Sequence, residues 1–149
     1  MNVVIYARFS SHSQTEQSIE GQLKVCYEFE KGWDMDFDIP VLSLQPIVEN
    51  AIKYNVESGW VHVSLNADHK FFYVKVADSG IGIPEEDQER IFERFYRVDK
   101  SHSREIGGPG LGLAITRNAI LMHRGAIKVY SKPGEGTTFT VRVPLAYIR

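Results

Sequence analysis

The chain has little that would cross-link it or carry it through a bilayer. Its 149 residues include one cysteine, Cys26, which excludes an intramolecular disulfide and any zinc site built from several thiolates. A lone thiol suits a reducing compartment. No apolar run in the sequence reaches the roughly 18 residues that a membrane-spanning helix needs. The opening MNVVIYARFS lacks the basic segment and long apolar core of a secretory leader. An excess of positive charge is missing too: 17 Lys and Arg face 19 Asp and Glu, a net charge of -2. No general basic field draws in nucleic acid, and no nucleic-acid partner is expected. What is present is apolar content, 43% of the chain, enough for one core in one compact domain.

Hydrophobic periodicity outlines the elements. MNVVIYA reads as a short buried strand and SSHSQTEQS as a turn. Residues 18–30 allow two readings. Ile19, Leu23, Cys26 and Tyr27 share a helical face behind Ser18, whereas Val25, Tyr27 and Phe29 alternate with Cys26, Glu28 and Glu30 as in a strand. Composition shifts in GWDMDFDIP, which places a boundary around 31–40. Beyond it Leu44, Ile47, Val48 and Ala51 recur at helical spacing within 41–55, with Pro46 either kinking that helix or marking its first turn. WVHVSLNA and FFYVKVAD alternate on either side of DHK and predict a hairpin. Pro84 followed by acids predicts a helix over 85–92. Residues 93–110 hold no stable period and read as a long loop. A further helix is expected over 110–124, then a hairpin of AIKVYS and TTFTVRVPL turned by KPGEG. Three helices separated by two hairpins predict an α/β (α+β) two-layer sandwich, a mixed sheet with helices on one face.

Three stretches could carry chemistry. VADSGIGIPEED, residues 76–87, ends an apolar run on Asp78 and continues with Gly80 and Gly82. A plain turn accounts for it, and so does a ligand that must approach the backbone closely. Asn50, Lys53 and Tyr54 share one helical face. They offer an amide oxygen, an ammonium and a ring, or simply a solvated surface. Gly107, Gly108, Gly110 and Gly112 crowd a predicted helix start, where free N–H groups receive anions; a hinge is the other reading. Arg94, Arg97, Lys100 and Arg104 precede them, against Glu93, Asp99 and Glu105, as a basic lid or a solvated charge run. Phe92, Phe95 and Tyr96 in that loop need burial or a partner.

The order of these pieces resembles the ATP-binding catalytic domain of two-component sensor histidine kinases, within the ATPase superfamily shared with gyrase, mismatch-repair proteins and a heat-shock chaperone. VENAIKY is similar to its asparagine box, DSGIGIP, GGPGLGLAI and GEGTTF to its glycine boxes, and IFERFYRVD to its phenylalanine box, over roughly residues 38–147. The resemblance implies ATP and Mg²⁺ as ligands. It implies that Asp78 accepts a hydrogen bond from the adenine amino group, that Gly80 and Gly82 let the base lie against backbone, and that Ile83 lines the pocket. Asn50 would hold the metal, Lys53 reach a phosphate and Tyr54 pack near the base. Gly108, Gly110, Leu111 and Gly112 would cradle phosphates, with Thr138 contributing from the last box. Arg97 or Arg104 would neutralise the γ-phosphate. Glu49 would act on the metal's water shell or as a base, or be an exposed structural acid. Catalytic roles thus fall to Glu49, Lys53 and Arg104.

The same resemblance implies a histidine-containing dimerisation domain and a response regulator as partners, and a cytoplasmic domain whose parent kinase can be membrane-anchored. Two departures stand out. Pro109 replaces a small polar residue and Pro46 an asparagine of other subfamilies. The helical hairpin bearing the phosphoacceptor is not recognisable: none of His12, His62, His69, His102 and His123 is followed by an acid. Residues 1–30 are similar instead to the start of serine site-specific recombinases, with Arg8 and Ser10 in VVIYARFSSHSQ at the positions of a catalytic arginine and the nucleophile. The remaining arginines of that family are absent, so recombinase activity is not expected. The expected organisation is a recombinase-like fragment at 1–30 fused, naturally or by engineering, to an ATP-binding domain at 31–149. The alternative function is a chimeric scaffold with impaired nucleotide binding.

Overall fold

In a computed structural model of the chain, residues 24–29, 41–98 and 110–145 are described. The elements in chain order are β1 (Lys24–Phe29), α1 (Val41–Lys53), β2 (Trp60–Ala67), β3 (Phe71–Asp78), α2 (Gly112–Met122), β4 (Ala126–Lys132) and β5 (Gly136–Pro144). The strands form one sheet in the order β1-β2-β3-β5-β4. β1 runs parallel to β2 and every other pairing is antiparallel, so the sheet is mixed, as expected. Of the two readings for 18–30, the strand holds for 24–29. The expected strand over the first seven residues, Arg8, Ser10, Lys100, Arg104, Gly107, Gly108 and Pro109 lie outside the described residues.

Register explains the core. Val63, Val76, Phe139 and Val129 form one row across the sheet, and Leu65, Val74, Val141 and Ile127 the next. Val61, Val63, Val74, Val76, Phe139 and Val141 are buried, together with Ile47 and Ala51 of α1 and Ile120 of α2. Each valine, isoleucine or phenylalanine among them, moved out of water, contributes about 1.5–3 kcal/mol. The opposite face carries Ser64, Lys75, Thr140 and Lys128 in one row, and Lys75 and Lys128 are exposed. One face therefore takes the helices and the other meets solvent, which makes the fold a two-layer α/β sandwich. The two helices meet where Gly112 faces Pro46: a Cβ on Gly112 would lie 3.1 Å from the proline Cβ. Pro46 sits inside α1, not in its first turn. No described helix is long and apolar enough to cross a membrane.

The helix expected over 85–92 is not there. Two separate 3₁₀ turns, Glu85–Asp87 and Arg90–Phe92, replace it. The cause is Gln88, whose Nε2 donates to Ile83 O at 3.1 Å and to Ser131 O at 2.8 Å. That anchor draws the chain onto β4, and only Ile91 in the two turns is buried. So short a stretch with one core contact cannot offset the cost of nucleating an α-helix.

The stretch after these turns is tied at both ends. The N–H of Phe95 donates to Gly110 O at 3.0 Å, Phe95 adopts φ 64° and Gly110 φ 75°. A Cβ on Gly110 would lie 3.1 Å from Tyr96 O. The Tyr96 hydroxyl donates to Asp87, and the Arg90 guanidinium stacks 4.3 Å from the Tyr96 ring. This brings Phe92 and Tyr96 against the core, while Phe95 stays exposed.

Candidate functional site

The buried face of the sheet turns polar at one end. In the row after Val63, Val61 is followed by Asp78, Thr137 and Ser131. Asp78 and Thr137 are only 8% and 7% exposed, so a carboxyl group lies on a surface otherwise reserved for apolar side chains. Its Oδ1 is satisfied from within: the N–H of Gly80 donates at 2.8 Å and that of Thr137 at 3.2 Å. Oδ2 accepts no hydrogen bond from a described residue. Burial pushes the Asp78 carboxyl above its ordinary value, and the two N–H donors pull it partly back. A carboxylate so placed gains from any further N–H donor that reaches it, because a charged acceptor left unpaired in a buried site is costly.

The loop after Asp78 is held from two sides. Toward α1, the N–H of Ile81 donates to Tyr54 O at 3.0 Å. Toward the β4–β5 turn, Gly134 N–H donates to Ile81 O at 2.8 Å and Ile83 N–H to Ser131 Oγ at 2.7 Å. Ser131 Oγ also lies 2.8 Å from Thr137 Oγ1. Backbone passes so near that side chains are excluded. A Cβ on Gly80 would run into Tyr54 O, and one on Gly82, already at φ 74°, into Lys132 O. The glycines of the DSGIG stretch are thus required by the loop's own packing.

On α1, Asn50 and Lys53 are partly exposed and Tyr54, just beyond the helix, is exposed. Lys53 Nζ sits 4.9 Å from the Tyr54 ring centroid. Glu49 is exposed and accepts from Gln45 Nε2 at 2.5 Å. Leu111 precedes α2 and offers no side-chain cap, so among the described residues no capping side chain occupies the first-turn N–H groups of α2. Arg97 is partly exposed. Asn50, Lys53, Tyr54, Asp78, Gly80, Gly82 and Ile83 therefore gather around the C-terminal end of α1. Gly112 meets α1 at Pro46, about one turn before Asn50, with Gly110 and Leu111 preceding it.

Thr138 is not brought to this site. It pairs with Ala77 and Tyr130 in the row facing solvent, and its neighbour Thr137 stands beside Asp78. Parity could have revealed this: Phe139 belongs to the core, and alternation then puts Thr137, not Thr138, on the same face. Ser131 and Gln88, which support the loop, carry no comparable signal. Among the described residues no group of three His, Cys, Asp or Glu could hold a metal ion. The Asn50 amide oxygen and the nearby Glu49 carboxylate suit a Mg²⁺ ion, which keeps several waters and takes its other ligands from phosphates.

Comparison with known proteins follows the same outline. The family described as histidine kinase-, DNA gyrase B-, and HSP90-like ATPase matches residues 35–147. The sensor histidine kinase WalK of Bacillus subtilis is 44% identical over 113 residues, covering 74% of this chain and 18% of that protein. The sensor-like histidine kinase SenX3 of Mycobacterium tuberculosis is 47% identical over 109 residues, covering 73% and 27%. The chain thus spans about a fifth to a quarter of these relatives. Among solved structures, the mycobacterial sensor histidine kinase MprB superposes with a TM-score of 0.66 at 25% identity, covering 82% of this chain and 81% of that one. Full-length ShkA in complex with AMPPNP gives 0.67 at 27% identity, covering 84% and 26%.

Proposed function

The chain belongs to the family of histidine kinase-, DNA gyrase B- and HSP90-like ATPases, and from that premise we propose that it binds ATP at Asp78 and serves as the phosphoryl-donating domain of a sensor kinase. One observation carries the reading: a buried carboxylate whose Oδ1 is filled by two backbone donors and whose Oδ2 accepts from none of the described residues. The adenine amino group is a donor suited to it. Gly80, Gly82 and Ile83 form the backbone wall against the base, and Tyr54 covers it from α1. Thr137 holds Asp78 in place. Lys53 and the uncapped start of α2 at Gly110, Leu111 and Gly112 receive the phosphates, with Arg97 adding charge. Gly108 and Arg104 are assigned to the same task on resemblance alone. Mg²⁺, held by Asn50 with Glu49 on its water shell, would neutralise charge on the phosphates.

In the longer protein the γ-phosphoryl group passes to an imidazole nitrogen of a histidine on a separate dimerisation domain. A bond from phosphorus to that nitrogen forms, the bond to the β–γ bridging oxygen breaks, and ADP leaves. A response regulator then receives the group. The resemblance of residues 1–30 to serine recombinases supports a separate origin for that segment, with Ser10 catalytically silent. Calorimetry with a non-hydrolysable ATP analogue, with and without Mg²⁺, tests the reading. Saturable binding that strengthens with Mg²⁺ and weakens in Asp78→Asn is expected. No binding by the parent chain would leave the scaffold role instead.

A further inference from the structure

One amide side chain just beyond α1, that of Asn55, ties the loop that carries Asp78 to the end of that helix. Its Nδ2 donates to Ala51 O and to Trp60 O, both at 3.0 Å. Its Oδ1 accepts from Val56 N–H at 2.9 Å and from the Ser79 hydroxyl at 3.1 Å. Two donors and two acceptor positions are all that an amide has, so Asn55 is fully used. Ser79 continues the network: its Oγ accepts from Trp60 N–H at 2.7 Å, and its own N–H donates to Trp60 O at 3.1 Å. The space between them is closed by Gly59, where a Cβ would meet Asn55 Oδ1 and would lie 2.8 Å from Ser79 Oγ.

The neighbours of these two residues are those assigned above to the base. Tyr54 precedes Asn55, and Asp78 and Gly80 flank Ser79. A second bridge, Ile81 N–H to Tyr54 O, runs beside the first. We propose that Asn55, acting through Ser79, is a positioning residue of the base pocket: it fixes the distance between the Tyr54 side and the Asp78 side, and so sets affinity for the purine rather than for the phosphates. No smaller side chain can replace it. A serine or threonine has one hydrogen to donate and cannot bridge Ala51 O and Trp60 O together. An aspartate would set a charge against both carbonyls.

The inference rests on ATP being bound at Asp78, and the test separates the two. Adenosine and a non-hydrolysable ATP analogue are titrated into the parent chain, Asn55→Ala and Ser79→Ala, following the Gly80 and Ile81 amide signals by NMR. The temperature is one at which thermal melts show each chain folded. Loss of the four side-chain hydrogen bonds that hold the pocket's two sides should lower affinity about ten-fold in Asn55→Ala, by the same factor for both ligands. Ser79→Ala should show a smaller loss, again equal for the two. If Asn55→Ala does not fold, Ser79→Ala alone decides. Unchanged affinity in a folded variant, or a loss seen with the triphosphate and not with adenosine, overturns the proposal while leaving the ATP reading in place. No binding of either ligand by the parent overturns both.

Discussion

Asp78 combines two demands that pull apart. Its burial weakens the ligand-free fold when the group is ionised, and its open oxygen is what a base would bind. Asp78→Asn keeps an acceptor for Gly80 and Thr137 and should lower affinity for adenine nucleotides by about 1.5–3 kcal/mol, read by calorimetry. The same change alters stability with a definite sign. A group whose folded-state pKa lies above its unfolded value supports the fold while protonated, and that support fades as pH rises through the folded value. Urea denaturation of the ligand-free chains should therefore show the parent losing ground to Asp78→Asn as pH rises from the ordinary aspartate value of about 4. A constant gap between the two would remove the buried-charge account. Thr116 is a simpler case. It is fully buried in α2 and its Oγ1 has no hydrogen-bond partner among the described residues. Thr116→Val should match or exceed the parent by up to about 1 kcal/mol, and a clear loss would reveal a partner for the hydroxyl. The isolation of Thr116 is not visible in sequence, since it depends on what packs against α2, whereas alternation along β3 and β5 already sets Asp78 and Thr137 on the buried face.

At the scale of elements, α1 and the two hairpins were legible because each has a single clean period. Residues 24–29 carry two periods at once, and pairing with β2, a contact far along the chain, decides for the strand. The 85–92 stretch has every local mark of a helix start, and one side chain, Gln88, overrides them. The end of α2 shows a further conflict. Gly125 N–H donates to Ile120 O at 2.8 Å and Arg124 N–H to Leu121 O at 2.9 Å, the paired bonds of a Schellman cap. The left-handed position of that cap belongs to Arg124, at φ 54°, where a side chain costs about 1–2 kcal/mol. Arg124→Gly should recover roughly 0.5–1 kcal/mol of it, seen as a raised midpoint in thermal unfolding. A lowered midpoint would mean that the arginine side chain contributes more than the strain removes.

For the molecule as a whole, the open side of β2 is the point of exposure. β1 covers it along six residue pairs, from Lys24–Trp60 to Phe29–Leu65. A chain starting at residue 31 would present β2 as a bare edge with Val61 and Val63 beneath it, the arrangement that promotes pairing with other chains. Lower denaturation midpoints and concentration-dependent association in sedimentation are expected, and a monomer as stable as the parent would show β1 to be dispensable. A different freedom exists where the Phe95 N–H meets Gly110 O. That bond joins residues far apart in sequence, and the closure entropy it offsets grows only slowly with their separation: each doubling adds about 0.6 kcal/mol. The sheet and its polar row should therefore keep their dimensions whatever the number of residues between Phe95 and Gly110.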